Sequence, residues 1–74
     1  MNTDKPKPDI GAKLMQHRRA LYSYVYACVR DEHVAEDVVQ DVAQIALTSI
    51  DSLRDAERFP NWLFGIARRR VLME

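Results

Sequence analysis

The chain of 74 residues contains one cysteine, two histidines, two glycines and three prolines. A single Cys28 excludes an intramolecular disulfide framework, and one cysteine with His17 and His33 is too little for a structural zinc. No apolar run approaches membrane-spanning length, and no signal peptide precedes the first amphipathic segment. A cytoplasmic protein without a membrane contact is the expectation. The alternation of apolar and polar residues that marks strands is missing. So is a glycine-rich phosphate loop, and no nucleophile–base pair stands out. No catalytic residue and no cofactor is therefore expected. A chain this short, with neither staple nor metal, holds one domain whose core is built from packed helices or completed by a partner.

What the sequence does hold is segregated charge. Residues 1–30 carry six Lys or Arg against two Asp or Glu, a balance of +4. Residues 31–57 carry one Arg against eight acids, or −7, and residues 58–74 carry four Arg against one Glu, or +3. The formal net charge of zero hides an acidic middle between basic ends, which suggests two partners of opposite charge.

Residues 1–9 read as a disordered polar tail, with residues 10–74 as the helical domain. Asp9 is placed to cap a first helix over residues 10–30. Its apolar stripe is Ile10, Leu14, Leu21, Val25 and Cys28, with Tyr22 and Tyr26 flanking it one turn apart. On that stripe Cys28 is expected as a small buried hydrophobe. Asp31 caps a second helix ending near residue 50. The polar stretch 51–58 offers Asp51 and Asp55 as further caps and can include a turn of helix. Pro60 suits the start of a third helix over residues 59–73, where Phe59, Trp62, Leu63 and Ile66 share the apolar face. The predicted fold is all-α, a compact three- to four-helix bundle.

The second helix divides its circumference sharply. Val38, Val42, Ile45 and Ala46 form one arc with Ala35 and Val39 at its edge. Asp37, Gln40, Asp41, Gln44 and Thr48 form the opposite stripe, with Leu47 on its margin. A solvated helix back needs no function, but it usually mixes charge signs and gains pairs one turn apart. This stripe has carboxylates and amides and no Lys or Arg, which suits a basic or donor-rich partner. His33 with Glu32, Glu36, Asp37 and Asp41 is the best metal candidate, yet the Glu-x-x-His pattern of helical di-metal sites is missing, and no metal is expected. The third helix places Trp62 two turns before Arg68, Arg69 and Arg70, with Arg54, Arg58 and Asn61 nearby. Arginines neutralise phosphates, and aromatic faces receive unstacked bases. On position alone, a tryptophan on an apolar helix face is more often part of a core. Three consecutive arginines wrap around a helix and cannot all face one ligand. Gly65 either allows dense packing or lets a backbone or phosphate approach closely.

The two segments AEDVVQDVAQIAL and RFPNWLFGIARRR, in this order and spacing, resemble region 2 of bacterial RNA polymerase sigma factors, closest to the extracytoplasmic-function (ECF) group. The resemblance covers roughly residues 20–73. Glu36-Asp37 and Val39-Gln40-Asp41 match the family's second helix, and Phe59, Trp62-Leu63-Phe64 and Ile66-Ala67-Arg68 match its third. It implies that Asp37, Gln40, Asp41 and Gln44, with Leu47, bind the clamp helices of the polymerase β′ subunit. It implies that the 51–58 loop, with Arg54 and Arg58, captures a base of the promoter −10 element. Asn61, Trp62, Arg68 and Arg69 then contact or help melt the non-template strand. An anti-sigma factor is a further implied partner. The loop has no glycine and no serine just before Phe59, and Pro60 takes a commonly polar position, so no base preference is implied. The helix-turn-helix of the second sigma domain is absent, and the expectation is a fragment of a longer two-domain factor. The competing reading is a helical interaction or oligomerisation module that binds no DNA.

Overall fold

A computed structural model describes residues 9–73. Three α-helices follow in order: α1 (Ile10–Val29), α2 (Glu32–Thr48) and α3 (Phe59–Leu72). Two single 3₁₀ turns, Ile50–Ser52 and Ala56–Arg58, lie between α2 and α3. Among the described residues there is no strand. The all-α class holds, and so do the helix positions to within one or two residues. The expected disordered tail falls outside the described residues except for Asp9.

The caps explain where the helices start. Asp9 Oδ1 accepts from the Ala12 N–H at 3.2 Å, and Asp31 Oδ1 accepts from the Val34 N–H at 3.0 Å. Asp55 caps the second 3₁₀ turn, accepting from the Glu57 N–H at 3.0 Å. Asp51 lies inside the first 3₁₀ turn, whose cap position is Ser49. Pro60 occupies the first turn of α3, where its missing N–H leaves no bond unmade.

Each helix packs on the other two. The core is Leu21 and Val25 of α1, Ala35, Val38, Val39, Val42 and Ala46 of α2, and Phe59, Leu63, Ile66 and Ala67 of α3. Phe59 is the largest of the fully buried side chains. It anchors the start of α3 against His17 of α1, edge to face at 5.6 Å. Tyr24 of α1 meets Phe64 of α3 the same way at 5.8 Å.

Two expected core positions are exposed. Cys28 is open to solvent, and the neighbouring Val29 packs against the core in its place. Straight helices drift by about 20° per seven residues, so the 14–21–28 series leaves the core as α1 ends. Ile45 is 38 % exposed, close to the end of α2 at Thr48.

With only two glycines in the chain, α1 ends on an arginine in the left-handed region. Arg30 has φ 59° and donates its N–H to the Tyr26 carbonyl at 2.7 Å. That conformation costs an ordinary side chain roughly 1–2 kcal/mol. Arg30→Gly is expected to stabilise the domain by about 1 kcal/mol, a rise in melting temperature of roughly 4–8 °C for a domain of this size. A calorimetric scan of both chains checks it, and an unchanged or lower melting temperature contradicts it.

Candidate functional site

Two surfaces carry the residues singled out from the sequence. On α2 the buried arc forces the opposite stripe outward. Asp37, Gln40, Gln44 and Leu47 are exposed, with Leu47 at 48 %, and Asp41 is half-buried. Glu36 lies beside this stripe and lines a cleft of about 430 Å³ with Met15, Arg18, Arg19 and Tyr22 of α1. Loss of water first, and then the negative field of Glu32 and Glu36, raises the Tyr22 hydroxyl above its ordinary pKa. The Tyr22 ring stacks on Tyr26 at 6.1 Å.

The stripe is not untouched by positive charge. Arg70 of α3 reaches Asp41 and donates from both Nε, at 3.1 Å, and Nη2, at 2.7 Å, to the same carboxylate oxygen. Nothing in the sequence connects these two residues. They stand 29 positions apart on different helices, and no local spacing signals the contact.

The second surface lies where the loop meets α3. Arg54, Arg58, Asn61 and Trp62 line one open groove of about 480 Å³, together with Ser52, Leu53 and Asp55. Four expected site residues therefore converge. Arg68 and Arg69 do not line this groove; they are exposed farther along α3. Trp62 is half-buried, between the core and the groove. One part of it packs on Phe59, ring centroids 5.7 Å apart, while its indole N–H donates to Ser52 Oγ at 3.3 Å on the loop. Ser52 and Asp55 belong to the 51–58 loop expected here, but neither is singled out individually as a site residue, since small polar loop residues carry no periodic signal. Asp55 sets a carboxylate among the arginines, so the groove is not a plain phosphate channel. Arginine, carboxylate and amide together offer hydrogen bonds to a base edge beside an aromatic wall.

Among the described residues, no three His, Cys, Asp or Glu side chains converge as a metal site requires, and His33 is exposed. No helix is long and apolar enough to cross a membrane.

Gly65 sits mid-helix on α3, and a Cβ built there meets nothing within 4 Å. Packing inside the domain does not require a glycine. Gly65→Ala is therefore expected to stabilise the domain by roughly 0.5–1 kcal/mol. Urea unfolding measures it, and a destabilised variant would show that the helix surface here is closed. A variant that is more stable yet binds its ligand less well would locate a close approach at Gly65.

The family model for Sigma-70 region 2 matches residues 14–74, which spans all three helices apart from the first turn of α1. No curated protein and no solved structure gives a significant match. The chain belongs to the sigma-70 region 2 family of transcription initiation factors, not an enzyme family, whose domains take part in binding core RNA polymerase and in recognising the promoter −10 element.

Proposed function

We propose that this chain is the polymerase- and promoter-binding domain of an extracytoplasmic-function sigma factor acting in the cytoplasm. The exposed face of α2, made by Asp37, Gln40, Asp41, Gln44 and Leu47, docks on the clamp helices of the β′ subunit. The groove lined by Arg54, Arg58, Asn61 and Trp62 receives an unstacked base of the −10 element, and Arg68 and Arg69 hold phosphates of the non-template strand. An anti-sigma factor masks one of these faces.

The observation that carries this reading is the separation of two chemically different surfaces on one small core. An acid-and-amide face lies on α2, and an arginine–aromatic groove opens at the start of α3. The first suits a basic protein helix; the second suits single-stranded nucleic acid. Nothing in this scheme breaks or forms a covalent bond. Strand separation is driven by the free energy of binding bases already unstacked, each aromatic–base contact contributing on the order of 1–3 kcal/mol.

Replacing Gln40 with Ala and Asp41 with Arg together is expected to abolish binding to a purified β′ clamp-helix fragment while helicity is kept. Calorimetry with circular dichroism as control decides it; undiminished affinity would remove α2 from the interface. Replacing Arg68 and Arg69 with Ala is expected to weaken single-stranded DNA binding and to flatten its log–log salt dependence by roughly 0.7 per lost phosphate contact. An unchanged slope would mean that these side chains face elsewhere.

A further inference from the structure

We propose that the cleft between α1 and α2 is a third docking surface, which seats an amphipathic helix of a protein partner with its acidic side chains against Arg18 and Arg19. This goes beyond the surfaces assigned to polymerase and promoter and rests on neither.

One strip of α1 carries the argument. Met15, Arg18, Arg19, Tyr22 and Tyr26 recur at spacings of three and four and run roughly 16 Å along the helix. The first four line one side of the open cleft of about 430 Å³, and Glu36 of α2 lines the other. Met15 is 73 % exposed, and neither arginine is in an ion pair among the described residues. A pliable methionine at one end and two stacked tyrosines at the other are apolar anchors, with cations between them. A groove that receives a helix offers anchors in this order.

The charges choose the occupant. Tyr22, whose hydroxyl is raised by loss of water first, also lies in the field of Glu32, Glu36 and Asp31. A phosphate backbone following the strip past the arginines would meet these three carboxylates, which disfavours nucleic acid. A helix can set acids opposite Arg18 and Arg19 and an apolar or donor side chain opposite Tyr22 and Glu36. Nor does the cleft suit two copies of this chain. Its five lining residues fall far short of the roughly 20–30 per side of a stable interface, whereas a short helix laid lengthwise needs only the strip.

The test uses the full chain and a labelled, alanine-based peptide of about 15 residues, with leucines at i, i+4 and i+7 and glutamates between them. Saturable binding is expected by fluorescence anisotropy, with NMR shifts at Met15 and Tyr22. The double variant Arg18→Glu/Arg19→Glu is expected to weaken binding about tenfold. Lys13→Glu, a reversal on the same helix but off the strip, is expected to change it by less than about twofold. A peptide with lysines in place of the glutamates should bind the double variant better than the unmodified chain, which separates lost complementarity from lost folding. If the glutamate peptide does not bind, or binds both chains alike, the proposal is overturned. If oligothymidine binds more tightly than the peptide and loses that affinity in the double variant, the cleft belongs to nucleic acid and the proposal falls. Sedimentation showing a dimer of the unmodified chain that the double variant dissolves would assign the cleft to a second copy, and would overturn it as well.

Discussion

The burial of one face of α2 is the constraint on which the fold and its acidic surface depend. Ala35, Val38, Val39, Val42 and Ala46 are at most 5 % exposed and meet side chains from both other helices. No disulfide can form within the chain, so this apolar contact carries the fold. Once that arc is committed inward, helical geometry leaves Asp37, Gln40 and Gln44 no orientation but outward. A one-residue slip of α2 would bury carboxylates without partners, at a cost far above any packing gained. The direction of the acidic face is therefore fixed by the core beneath it.

The groove at the start of α3 is secured differently. Phe59 is driven into the core at the junction between loop and helix, and Pro60 fixes the backbone entering α3. Trp62 then bridges outward, one side on Phe59 and its indole nitrogen on Ser52. The loop itself is two single 3₁₀ turns held by short-range backbone bonds, such as Leu53 N–H to Ile50 C=O and Arg58 N–H to Asp55 C=O. Short turns of this kind are weaker than α-helix. Aromatic anchors thus hold one wall of the groove, and the two turns, tied to it through Ser52, form the other.

The helices were legible because their caps and periods agree. Asp9 and Asp31 each sit just before an apolar repeat, and each bonds the N–H three residues on. Periodicity gives the direction of a face but not how far a neighbour covers it. Cys28 and Ile45, expected in the core, are exposed for that reason: both lie near the ends of their helices. The groove was legible in part, since Arg54, Arg58, Asn61 and Trp62 cluster in sequence as well as in space. Ser52 and Asp55 entered only through the path of the loop. The contact of Arg70 with Asp41 was out of reach altogether, because it depends on how α3 rotates against α2, and that is decided by side chains such as Leu63 and Ile66 packing elsewhere.

Charge segregation along the chain takes on a physical sense in this arrangement. Opposite charges on separate surfaces attract different partners, and the protein's own acidic and basic faces also attract each other. On a core this small the two cannot be moved far apart. Where α2 and α3 run side by side, an arginine from the basic helix meets a carboxylate of the acidic stripe, and each weakens the other's appeal to an outside ligand. A larger domain could avoid that by distance. The contact of Arg70 with Asp41, whose side chains stay 27 % and 49 % exposed, is such a meeting, and an ion pair this open to water contributes no more than about 1 kcal/mol.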